Sequence, residues 1–208
     1  MLLGRRSVLR PVLDGVSSIG EDVAPNIDID QGEFMPAERF VEQLNVQIGH
    51  EFAAHQQYVA CAVHYDALTM PQMARFFYAQ ALEERGHAMM MVQYLVDQDA
   101  EVTIPGVAAP QTRFADIVEP VALALEQEKR VTQQINQLTR ISREEYDFAS
   151  DQFMQWFIKE QVEEVATMSD LLTVVKRAKH DVEAIEDYVQ REMTGEAADP
   201  TAPAVAGA

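Results

Sequence analysis

Residues 71–97 read PQMARFFYAQALEERGHAMMMVQYLVD, and their spacing decides the fold. Phe76, Phe77, Ala81, Met91 and Leu95 recur at helical intervals. Pro71 stands in the first turn, where a residue without a backbone N–H costs nothing. A step of seven residues returns a side chain to within about 20° of the same helix face. Taken from Phe77, that step lands on Glu84 and then on Met91, so an acid interrupts the apolar stripe at its midpoint. His87 follows Glu84 by three positions and shares its face.

The segments on either side repeat the pattern. Upstream, Phe40, Leu44, Ile48, Phe52 and Val59 mark a helix over 36–65, joined to the first segment by the short link 66–70. Downstream, 99–113 (DAEVTIPGVAAPQTR) holds two prolines and a glycine, too long a connection for a tight helix hairpin. A further helix is expected over 114–141. Another follows the acidic stretch 142–147 and runs to 179, where Lys176, Arg177, Lys179 and His180 suit the negative end of a helix dipole. A shorter helix over 182–193 completes the set. No segment alternates as a strand would. Helices of about 28 residues are each roughly 40 Å long. The expected fold is therefore all-α: a four-helix bundle with a long crossover between its second and third helices and a short fifth helix.

The same seven-residue step gives Leu44, Glu51, Tyr58 in the first helix, Val121, Glu128, Ile135 in the third and Phe157, Glu164, Leu171 in the fourth. Midpoints of packed helices of similar length lie at similar height, so Glu51, Glu84, Glu128 and Glu164 are expected in one internal layer, with His87 and Gln161 beside them. Gln161 precedes Glu164 by three. Four buried, unpartnered carboxylates would cost several kcal/mol each, comparable to the stability of a whole domain. The adjacent Lys129 and Arg130 point to other faces, so a pair of metal ions is the economical counter-charge. Oxygen-rich ligation with one imidazole suits iron or manganese, and two divalent ions balance four carboxylates.

Composition narrows the rest. The chain has 208 residues, enough for one domain with tails: a loose arm over 1–35, the bundle over 36–193 and a disordered Ala/Pro/Gly tail over 194–208. Met35 is an alternative start. Arg5 and Arg6 are not followed by the apolar stretch an export signal needs. A formal charge of −18 repels phosphate backbones and anionic headgroups, which disfavours nucleic-acid and membrane partners. The single cysteine, Cys61, fits a reducing, cytoplasmic setting and ordinary core packing. Trp156 and the run Met89–Met90–Met91 read as packing, and Tyr58 as either a buried phenol or a neighbour of the layer. His50, Glu51 and His55 imitate a zinc-protease motif, but histidines five apart sit about 140° apart and cannot chelate one ion.

The stretches HEFAAHQQY (50–58), ALEERGHAMMMVQYL (81–95), ALEQEKRVT (124–132) and QFMQWFIKEQVEEVATM (152–168) resemble the bacterial non-haem ferritins of the actinobacterial type. The resemblance covers about 37–193. It implies a ferritin-like bundle with a ferroxidase centre in which Glu51, Glu84 and His87 surround a first iron. Glu84 would bridge to a second iron held by Glu128, with Gln161 and Glu164 beside it, and the near-site tyrosine falls on Tyr58. It further implies Fe(II) and dioxygen or peroxide as reactants, Fe(III) mineral as product and shells of 24 identical subunits. Bacterioferritins place a second Glu-x-x-His where this chain has Gln161-Val162-Glu163-Glu164, and a haem-ligating Met where it has Arg85, so no haem is expected. Rubrerythrin-like proteins and DNA-coating miniferritins match less well. Glu144, Glu145, Asp147 and Asp151 are expected to draw cations toward pores. A peroxide-scavenging di-iron protein and a non-catalytic helical assembly are the competing functions.

Overall fold

In the computed structural model, residues 35–193 and 199–207 are described, and they form five helices: α1 (Glu38–Ala67), α2 (Pro71–Asp97), α3 (Glu119–Glu144), α4 (Phe148–Arg177) and α5 (Val182–Glu192). No strand occurs among the described residues, and no helix there is long and apolar enough to cross a membrane. The arm expected over 1–35 lies, apart from Met35, outside the described residues.

Each boundary has a local cause. Asp147 accepts from the Ser150 amide at 3.0 Å and so caps α4, while its other oxygen takes the Ala37 N–H at 3.1 Å and ties the start of α1 to the start of α4. Asp181 caps α5 through the Ala184 amide at 3.1 Å. Helix α3 begins at Glu119 rather than at the expected residue 114. Asp116 caps that end through the amides of Val118 and Glu119 (2.9 and 3.0 Å), and Pro120 occupies the first turn. Phe114, Ile117 and Val118, ahead of the helix, pack onto the core from an irregular segment.

Helix α2 has no side-chain cap of its own. Glu186 of α5 supplies one, accepting the Gln72 and Met73 amides at 2.8 and 3.0 Å. A carboxylate on the positive end of a helix satisfies orphan donors and complements the dipole. Glu186→Ala is expected to cost about 1 kcal/mol, the usual range for a lost cap. Hydrogen exchange at the Gln72 and Met73 amides should accelerate with it.

The crossover runs along α1 in the same direction as the helix. Asn45 bonds to Glu101 and Thr103 (2.9 and 2.6 Å), and Gln57 exchanges two hydrogen bonds with Gln111 (2.9 and 2.8 Å). Between them Gly49 makes room for Pro105, whose Cγ would lie 2.9 Å from a Cβ at that position. Twelve helical residues between Asn45 and Gln57 rise roughly 18 Å, so the loop travels along much of the bundle, as its length required.

The core is divided. One apolar cluster gathers Tyr65, Met73, Phe77, Val121, Met168 and Leu171; the other gathers Phe40, Leu44, Met91, Ile135, Leu138 and Phe157. The residues that separate them are polar and buried.

The carboxy-terminal tail departs from expectation. Residues 199–207, expected to be disordered, lie against α2 and α4. Asp199 accepts from the Trp156 indole N–H and the Lys159 ammonium, both at 3.2 Å, and the Ala206 amide donates to the Met89 carbonyl at 3.2 Å. Ala202, Val205 and Ala206 pack onto the second cluster. These side chains have little rotamer entropy to lose, so a few contacts suffice to hold them.

Candidate metal centre

Every residue expected in the mid-bundle layer is buried: Glu51 on α1, Glu84 and His87 on α2, Glu128 on α3, Gln161 and Glu164 on α4, and Tyr58 on α1 beside them. The apolar neighbours seven residues to each side of the four glutamates are buried as well, so the stripe positions deliver the acids to the interior. Glu51, Glu84 and His87 each offer a ligand atom such that the three atoms lie within 4.8 Å of one another. His87 Nδ1 is 3.4 Å from Glu84 Oε2. Glu128 receives the Tyr58 hydroxyl in a short hydrogen bond on one oxygen and the Gln161 amide at 3.5 Å on the other. One oxygen of Glu51 and one of Glu164 are buried with no hydrogen-bond partner.

Electrostatics show what the layer lacks. Among the described residues no lysine or arginine pairs with any of the four glutamates. Lys129 and Arg130 face outward. Burial, and then the charges of Glu128 and Glu51, push the Glu84 carboxyl well above its ordinary range. Burial followed by Glu128 does the same to Glu164. Glu128 rises to about 7, chiefly through burial, with the Tyr58 hydrogen bond holding it down. Burial raises the Tyr58 phenol and lowers the His87 imidazole, leaving the latter in the neutral form a metal requires. Such a layer must take up either protons or cations. Orphaned carboxylate oxygens, a neutral imidazole and an oxygen-rich donor set with no thiolate fit a pair of iron ions.

The zinc-protease likeness dissolves in three dimensions. His50 Nδ1 hydrogen-bonds to Gln47 Oε1 at 3.2 Å, whereas His55 Nδ1 meets the Ala81 carbonyl at 2.6 Å. The acids expected to line pores are engaged within the subunit. Arg39 pairs with Glu144 and Glu145, Arg143 with Asp151, and Asp147 caps α4.

Several buried or flanking residues were not foreseen. Gln47 and Gln80 lie buried in the layer, and Thr132 bonds Gln161 Oε1 at 2.9 Å. The residue before Glu84, Glu83, and the residue before Gln161, Glu160, form a second group with His87 whose ligand atoms fall within 4.8 Å. They line a groove of about 1480 Å³ along α2 and α4. Their one signal in the sequence is adjacency to the layer residues, which in a helix means a turn of about 100° toward the surface.

The family profile described as the ferritin-like domain matches residues 41–178. The chain belongs to the ferritin family. This ferritin is 52% identical to ferritin BfrB of Mycolicibacterium smegmatis over 169 residues, covering 81% of this chain and 93% of that one. It is 34% identical to a bacterial non-heme ferritin of Staphylococcus aureus, covering 74% and 93%. Among solved structures, the open-pore ferritin of Archaeoglobus fulgidus superposes with a TM-score of 0.72 at 27% identity, covering 77% of this ferritin and 99% of that chain. The all-α, ferritin-like bundle with a short fifth helix is thus the fold expected from the sequence.

Proposed function

We propose that this ferritin is a ferroxidase and iron store, oxidising Fe(II) at an intrasubunit di-iron centre and depositing Fe(III) as mineral inside a shell of 24 subunits in the cytoplasm. The observation that carries this reading is the buried layer of four carboxylates and one imidazole, which splits the apolar core and pairs with no lysine or arginine among the described residues.

Iron is the substrate. Glu51, Glu84 and His87 would hold one Fe(II), and Glu84, Glu128 and Glu164 the other, with Gln161 alongside. Each Fe(II) gives up one electron; dioxygen takes both and leaves with two protons as hydrogen peroxide, or peroxide itself accepts them and leaves as water. The glutamates release their protons as iron binds, and neutral His87 offers a lone pair without first losing a proton. Tyr58 orients Glu128 through its hydroxyl. Apolar clusters exclude bulk water on two sides of the centre, while His87 and Glu164 border the groove along α2 and α4. Arg85, exposed on α2, stands where a haem-binding relative would present a methionine, so no haem belongs to this reading.

Aerobic loading with Fe(II), followed by light scattering and iron assay, tests the proposal. Storage requires hundreds of irons on a particle many times heavier than the 23.4 kDa chain. A monomer retaining one or two irons contradicts it, and oxidation that is fast with peroxide but negligible with dioxygen favours scavenging instead.

A further inference from the structure

Gln47, four residues before Glu51 on α1, is fully buried and makes three hydrogen bonds through one carboxamide. Its Nε2 donates to Glu51 Oε1 at 2.8 Å and to Gln134 Oε1 of α3 at 3.3 Å. Its Oε1 faces His50 Nδ1 at 3.2 Å. The orientation of the amide follows from its partners. Turned over, Oε1 would confront the Glu51 carboxylate, two acceptors without a hydrogen between them. His50 must in turn carry its proton on Nδ1, since Gln47 Oε1 can only accept.

We propose that Gln47 is a positioning residue for the metal centre. It pins Glu51 Oε1 against the outer wall of the layer, so that Oε2, buried and without a partner, is the oxygen left for an ion. The other side of the layer has the same construction. Thr132 shares its one hydroxyl hydrogen between the Glu128 backbone carbonyl at 2.8 Å and Gln161 Oε1 at 2.9 Å, and the Gln161 amide N–H faces Glu128 Oε2. A glutamine whose own carbonyl is held from outside therefore presents N–H to a carboxylate on both flanks. Carboxylates fixed in this way lose less rotamer freedom when an ion arrives, and loss of such a support weakens metal binding typically 10- to 100-fold.

The inference rests on the reading of the layer as a metal centre, and anaerobic titration with Co(II) separates the two. The wild-type protein is expected to take up two Co(II) per subunit, followed by visible absorption. Gln47→Met keeps the volume and removes all three hydrogen bonds; it is expected to weaken one ion by about 10-fold and leave the other within about twofold. Gln134→Met, which leaves Glu51 untouched and removes one partner of the amide, should weaken the same ion by less and serves if Gln47→Met does not fold. Equal affinities in wild type and both variants, or equal weakening of both ions, would overturn the positioning role. A wild-type protein that binds no Co(II) at all would instead remove the metal-centre reading beneath it.

Discussion

Glu84→Ala is expected to lower the initial rate of aerobic Fe(II) oxidation by at least about 100-fold, because in the proposed centre it removes a ligand rather than a support of one. Burial, and then the charges of Glu128 and Glu51, raise the protonation of Glu84, and in the proposed centre it is the acid that would serve both metal positions. The same substitution relieves the apoprotein of a buried ionisable group, and thermal unfolding without metal should move upward or stay level. A rate loss accompanied by undiminished stability is the signature of a functional residue held in place at the expense of the fold. Stopped-flow absorbance at constant Fe(II), paired with calorimetry on the apoprotein, checks both halves. A variant with wild-type oxidation would remove Glu84 from the centre.

Stability of the metal-free protein should fall as pH rises from about 5 to about 8. Glu84, Glu128 and Glu164 all have folded values above their unfolded ones, so their contribution is complete below about 4.5 and is lost as they are forced to ionise. For Glu128 the displacement from 4.5 to about 7 corresponds to on the order of 3 kcal/mol between the two limits. His87 acts in the opposite sense, since its lowered value favours folding as pH rises toward 6.5. One imidazole does not offset three carboxyls. Denaturant unfolding of the apoprotein at both ends of the range measures the slope, and Glu128→Gln should flatten it. Added divalent metal should reverse it, because cations bind the ionised form that alkaline pH favours. A pH-independent apoprotein would mean that the glutamates are already paired or solvated.

The fold and the layer were legible because both depend on short-range periodicity. Seven-residue steps carried Phe77 to Glu84 to Met91 and their counterparts on α1, α3 and α4, and burial of all twelve residues follows from that geometry alone. What the sequence hid depends on partners far along the chain. Asp199 meets Trp156 and Lys159 across about forty positions, Arg39 meets Glu144 across 105, and Glu186 caps α2 from 114 residues away. Nothing in the local pattern of an Ala/Pro tail or an acidic turn announces such a contact. Gln47 was missed for a different reason. A glutamine near the edge of a helical stripe reads as a solvated side chain until the carboxylate one turn later is known to need a donor. The start of α3 falls later than the expected residue 114 because Asp116 and Pro120 set it, while Phe114 and Ile117 pack from the irregular segment before it.

Crystals soaked anaerobically in Fe(II) and measured at the iron absorption edge put the two-ion centre to the most direct test. Two anomalous peaks are expected in each subunit, one among Glu51, Glu84 and His87 and one among Glu84, Glu128 and Glu164. Featureless density between those side chains at saturating Fe(II) would contradict the account.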